Sequence, residues 1–308
     1  MANELPGHKS AWENNVKVEK LENKTIHNVD LTSASTISDE QYLILRALWK
    51  RYKFDQLDLA KFGLEDWNTK AIEMLKTYQS WTHHCNSFSS NAENEGTFSL
   101  PQFYQKQVAL IPDDIPFRPN VTLKRQQIVN TALVDFLNAF IIHYKLRVYW
   151  TLYRKPFIAK FENGAFEART DGCLEDRASK TYAIVEVKPM LREKEVVRIS
   201  MQETAEMVAW IKCDPDPKEF SSSCGRTDMK SLIFAEYGVD YVKYLNNTLR
   251  PDEKPGFLTM HQFGAWDTRR AGDMKQLGSI LLPLALRGRA NHVNDLGVQA
   301  QASPSVVS

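Results

Sequence analysis

Tyr182-Ala183-Ile184-Val185-Glu186-Val187-Lys188 decides the reading of this chain. Side chains two apart on an extended strand share a face. Glu186 and Lys188 therefore point the same way out of a segment whose remaining members are mostly apolar. Charges seldom enter such a strand without a partner or a chemical task. Upstream, Thr170-Asp171-Gly172 ends a second strand-like stretch. An acid there, followed by Glu-x-Lys, has the spacing to hold a divalent metal and position a water. A metal-dependent nuclease is thus the first function to weigh.

Hydrolysing a phosphodiester requires a water that loses its proton near neutral pH and a counter-charge for the developing phosphorane. A bound Mg2+ supplies both, as acidifier of its water and as Lewis acid. Magnesium takes oxygen ligands, commonly one or two carboxylates with waters in the remaining positions. Asp171 and Glu186 would provide the carboxylates from neighbouring antiparallel strands, with the backbone carbonyl of Val187 as a third ligand. Lys188 would orient the attacking water and offset charge. A strand-end salt bridge between Glu186 and Lys188 is the structural alternative.

The 308 residues, 43% of them hydrophobic, suffice for one large domain or two modest ones. The formal net charge of +1 gives no global basic field of the kind that marks many nucleic-acid binders. A local excess of Lys and Arg does occur around the candidate site, over residues 141–200. The four cysteines lack a C-x-x-C spacing, which fits reduced thiols in an intracellular protein. His83-His84-Cys85 is not read as a zinc site, because adjacent residues splay apart and no second pair follows. The first residues lack the basic start and apolar run of a signal peptide, and no apolar run approaches the ~20 residues that span a bilayer.

Residues 1–37, polar and rich in Asn, Ser and Thr, are expected as a loose arm. A helical N-terminal region follows over 38–119. Ser38 caps a helix carried to about residue 53 by Leu43, Leu45, Leu48, Trp49 and Tyr52. Ala71, Met74, Leu75, Tyr78 and Trp81 mark a second helix over 66–85. Residues 86–99 read as an exposed loop. After the proline-spaced residues 112–119 comes a helix over 122–144, and the period then changes. Strands are expected at 147–161, 165–171 and 181–188, a helix at 199–212, short strands at 231–237, 241–245 and 258–263, and a helix at 268–286. The last twenty residues look disordered. The result is an α/β fold without a linker that would force independent domains.

Helix–strand–strand–strand–helix–strand with Asp…Glu-x-Lys resembles the PD-(D/E)XK nuclease superfamily. More narrowly, Ala183-Ile184-Val185-Glu186-Val187-Lys188-Pro189, followed by Met201-Gln202-Glu203-Thr204-Ala205-Glu206-Met207-Val208-Ala209-Trp210-Ile211, is similar to the nuclease-like domain of uncharacterised fungal proteins. The similarity runs over residues 120–287 and includes Gly256-Phe257-Leu258-Thr259-Met260. It implies a restriction-endonuclease-like core and an Mg2+-dependent (or Mn2+-dependent) nuclease acting on nucleic acid, most simply DNA. It also admits an inactive relative that binds nucleic acid or protein. By position, Asp171 matches the first acid of the motif, Glu186 the second, Lys188 the lysine, and Gln202 a glutamine kept by exonuclease-like branches. Those branches place a tyrosine four residues later, where this chain has Glu206; there a solvated helix face competes with a contact to a metal-bound water. Thr170 replaces the proline before the first acid. Asp135 is the sole acid in the preceding helix that could supplement the site, against an exposed polar-face reading.

Tyr149, Trp150 and Tyr153 are either sheet-face aromatics or a stacking platform for bases. Arg192, Lys194 and Arg198 are either phosphate contacts or a solvated loop. Arg269-Arg270 at a helix start opposes the macrodipole and suits an anionic partner.

Overall fold

Residues 38–53, expected as one helix, divide at Arg46. The computed structural model describes residues 4–88, 93–109, 119–186, 195–214, 220–224, 231–267 and 270–302. Ser38 does cap a helix, α2 (Asp39–Ile44), its hydroxyl accepting from the Gln41 N–H at 3.1 Å. Arg46 then adopts φ 54°, a left-handed conformation that ends the helix, and β1 (Ala47–Tyr52) begins one residue later. The apolar spacing that suggested a continuous helix serves the buried face of α2 and then β1.

The chain forms two compact units, each assembled from three separated segments. The first contains Met1–Leu57, Tyr153–Asp171 and Ile184–Ala265. Its larger sheet has the order β1-β9-β8-β7, from β1, β9 (Leu258–Gly264), β8 (Ser231–Glu236) and β7 (Phe220–Cys224). β1 runs parallel to β9, pairing Ala47 with Leu258 and Tyr52 with Phe263, while β8 is antiparallel to both its neighbours. β3 (Pro156–Lys160) and β4 (Ala165–Arg169) form a separate antiparallel hairpin. Their inward residues Phe157, Ala159, Phe166 and Ala168 are buried, and the hairpin packs on α7 (Val196–Cys213).

The Arg46 guanidinium lies between Trp12 and Phe257, 4.5 and 4.3 Å from the ring centroids. It donates to the carbonyls of Gly256 and Pro255 at 3.0 and 3.1 Å. These bonds hold the residues that enter β9 beside the start of β1. Tyr241 and Tyr244 of α8 (Val239–Leu245) donate their hydroxyls to the carbonyls of Leu45 and Ile44, both at 2.8 Å. They satisfy carbonyls at the end of α2 that the helix itself leaves open. Residues 241–245, expected as a strand, are therefore helical, because the three-residue spacing of these tyrosines sends both toward α2.

The first thirty-seven residues are not a loose arm throughout. They carry α1 (Lys9–Val18), whose Val16 packs with Leu21, Leu43 and Trp12. Leu5 and Ile26 are buried as well.

The second unit contains Asp58–Leu152, Gly172–Ala183 and Trp266–Ser308. The expected helix over 66–85 divides into α3 (Glu65–Lys76) and α4 (Gln79–Ser87), with Tyr78 at the break. The tyrosine hydroxyl donates to the carbonyl of Ala139, 2.8 Å away on α6 (Pro119–Tyr144). The expected loop over 86–99 contains buried Asn94 and Phe98 and leads into an unanticipated helix, α5 (Ser99–Ala109). The long strand expected over 147–161 is two strands, β2 (Val148–Thr151) and β3, divided between the units. β5 (Gly172–Asp176) was also unanticipated and lies centrally in the sheet β2-β5-β6. β6 (Thr181–Val185) runs from the second unit into the first. α9 (Ala271–Ala302) extends well into the tail expected to be disordered; residues 303–308 lie outside the described residues. No helix among the described residues is long and apolar enough to cross a membrane.

His84 is fully buried in an aromatic cluster, stacked 4.9 Å from Phe98 and flanked by Trp81, Phe88 and Phe136. Neither ring nitrogen has a hydrogen-bond partner among the described residues. Desolvation lowers its pKa from 6.5 to about 4, so the folded state favours the neutral ring. As pH falls through this interval the unfolded chain takes up the proton first, and stability declines by on the order of 3 kcal/mol. Thermal melts between neutral and mildly acidic pH should show this slope, and His84→Phe should flatten it relative to wild type. A second expectation concerns Gly278 of α9, where an added Cβ would lie 2.5 Å from Cζ2 of buried Trp81. Gly278→Ala should cost ~1–3 kcal/mol by overpacking, measured by urea unfolding.

Candidate active site

Glu186 follows directly on β6, while Asp171 occupies the turn between β4 and β5. The Asp171 N–H donates to the Val185 carbonyl at 2.9 Å, so the two acids sit on adjoining stretches of backbone. Both are buried, Asp171 to 4% and Glu186 to 6% exposure. The two acids were expected on neighbouring antiparallel strands; instead β4 ends at Arg169 and pairs with β3, both acids lie outside strands, and the bond from Asp171 to Val185 is what brings their backbones together.

Gln202 completes the arrangement from α7. Its amide Nε2 donates to Glu186 Oε1 at 3.0 Å and to Glu206 Oε1 at 2.7 Å. Residues four apart on a helix share a face, so Gln202 reaches Glu206 within α7 and Glu186 beyond it with one group. Hydrogen bonds to charged acceptors contribute about 1.5–3 kcal/mol each. A donor here matters because a carboxylate removed from water is costly unless paired.

The solvated-face reading of Glu206 is overturned. Glu206 is 1% exposed and Glu203 5%, on a helix buried nearly all round from Ile199 to Ile211. The polar run Gln202-Glu203-Thr204 disguised this, although the apolar run from Met207 to Ile211 signalled a buried helix. Arg154 was also missed. Its Nε lies 3.5 Å from Asp171 Oδ1, with its own side chain 65% exposed. The Thr170 N–H donates to the Lys155 carbonyl at 3.3 Å, drawing residues 154 and 155 alongside 170 and 171. No local pattern in the sequence signals that approach.

Val187 and Lys188 lie outside the described residues, as do Arg192, Lys194 and Arg269. Arg198 is exposed in the first turn of α7. Arg270, also exposed, lies 3.9 Å from Asp273. Asp135 belongs to the second unit, where burial raises its carboxyl pKa. Among the described residues no group of three or more His, Cys, Asp or Glu side chains is arranged to hold a metal ion.

Gln202→Leu should destabilise the protein by ~1–3 kcal/mol, since two buried acceptors lose a donor. Adding Glu206→Leu should recover part of that loss in a double-mutant cycle read by chemical denaturation. No protein-family model matches the chain, and no curated protein matches it.

Proposed function

We propose that this chain is a metal-dependent nuclease built on a restriction-endonuclease-like core, with nucleic acid, most simply DNA, as its substrate. The observation that carries this reading is the backbone bond from Asp171 to Val185, which sets two buried carboxylates on adjoining strand ends. The chain order of α6, strands, α7 and β8, with Glu186 just past β6, follows the element order expected of that core, although the described strands number five between the helices and fall, with β8, in three sheets.

The donor set fits a hard cation. Asp171 and Glu186 would hold Mg2+ or Mn2+, with the Val187 carbonyl as a third ligand. When bound, the ion acidifies a water and offsets charge on the phosphate. Gln202 fixes the orientation of Glu186 by occupying Oε1. Lys188 would orient the attacking water and neutralise charge on the phosphorane.

One observation favours a second reading, an inactive fold that binds nucleic acid. Arg154 stands beside Asp171 and offsets the charge a metal would need.

The protein should be incubated with plasmid, linear and single-stranded DNA and with RNA, in Mg2+ or Mn2+. Cleavage is expected, and Glu186→Ala and Lys188→Ala should each lower its rate by ~100-fold or more. Binding that weakens with salt, without cleavage of any substrate, selects the second reading.

A further inference from the structure

The outward face of the β3–β4 hairpin leads to Asp171. Phe157 and Ala159 point inward, so Pro156, Ile158 and Lys160 are exposed, and Ile158 is paired across the hairpin with Glu167. Pro156 pairs with Arg169, and the bond from Thr170 to Lys155 continues the antiparallel approach toward Arg154 and Asp171. Just before this hairpin, Tyr153 leaves its large side chain 59% exposed. Arg154 follows it in the chain, and Arg169, paired with Glu167 and 61% exposed at its side chain, stands opposite Pro156 on β4. Trp150, by contrast, is buried, so it supplies no stacking face.

An exposed ring among cations, next to the carboxylate expected to work on a phosphodiester, is matched to one kind of ligand. In a duplex, the faces of each base are covered by its neighbours, and an outside ring finds none to stack upon. An unpaired base presents that face, and stacking on it tolerates any sequence. Arg154 and Arg169 can meet phosphates of such a strand on either side of the stacked base.

We propose that the ligand is a single-stranded nucleic acid, laid along this face with an unpaired base on Tyr153 and a phosphate on Arg154. The inference rests on the nuclease reading for the role of Asp171. Arg154, exposed and 3.5 Å from that carboxylate, exchanges part of its interaction with Asp171 for a phosphate oxygen as the strand arrives.

The full chain is titrated, in EDTA so that nothing is cleaved, against a fluorescein-labelled oligothymidylate of about fifteen nucleotides. A blunt hairpin duplex of the same composition class and an oligouridylate are run in parallel, with fluorescence anisotropy as the readout. The single strand should bind about tenfold or more tightly than the duplex. Tyr153→Ala should weaken the tighter single strand about tenfold and leave the duplex unchanged, while Tyr153→Trp should retain wild-type binding. Arg154→Ala should reduce the magnitude of the salt slope on the single strand by about 0.7. The RNA arm identifies the sugar; dependence on Tyr153 must hold for whichever strand binds more tightly.

Equal affinity for strand and duplex overturns the proposal, as does a Tyr153→Ala protein that binds like wild type. The metal-free readout separates this outcome from catalysis. Strand binding that depends on Tyr153 stands even where no metal yields cleavage. Cleavage of duplex that is indifferent to Tyr153→Ala leaves the nuclease and removes the strand preference.

Discussion

Gln202 donating into Glu186 and Glu206 is the interaction on which the first unit turns. α7 is covered on nearly every face, so the charges it carries have little access to water. A carboxylate under such cover needs hydrogen-bond donors close at hand. One amide nitrogen reaching two carboxylates ties the rotation of α7 to the end of β6. A turn of the helix by one residue would carry Gln202 away from Glu186 and bring either apolar Met201 or a second carboxylate, Glu203, against it. The same bond thus fixes packing and aims the acid.

The second unit treats a buried ionisable group in the opposite way. His84 is surrounded by rings and kept neutral. An aromatic cage gains from the area of the ring and its stacking, and an uncharged imidazole carries a much smaller desolvation penalty than an imidazolium. The contrast shows why burial alone does not identify a working site. Glu186 stands out through its specific donor and through the neighbouring Asp171 backbone.

Much of this arrangement could be seen in the residues themselves. α6, α7, β8 and β9 have long or strongly patterned apolar faces, and the strand bearing Glu186 stood out through its charge. Other elements were hidden by competition between local and distant forces. β1 was mistaken for helix because Leu45, Leu48, Trp49 and Tyr52 fall at the helical spacing i, i+3, i+4 and i+7, while its partner β9 is remote in sequence. β5 went unseen because Glu175 and Asp176 make it look like a surface turn, yet both are buried. There Asp176 receives the N–H groups of Ala178 and Lys180 and the hydroxyl of Tyr182. α8 is short enough that propensity said little, and its tyrosines are held by the end of α2. At the site, Glu186 and Gln202 were legible, whereas Arg154 beside Asp171 depends on how one loop passes another.

The Arg46 clamp has a consequence for the order in which the protein is made. Arg46 and the carbonyl it grips at Gly256 are 210 residues apart. On the ribosome, α2 and β1 emerge 210 residues ahead of the partner that completes them. Until then Trp49, which is buried in the finished protein, has no β9 to lie against. Closing so long a loop comes late and slowly, and an unpaired apolar strand is prone to stray association while it waits. The nascent protein therefore passes through an interval in which a chaperone has a defined segment to shield.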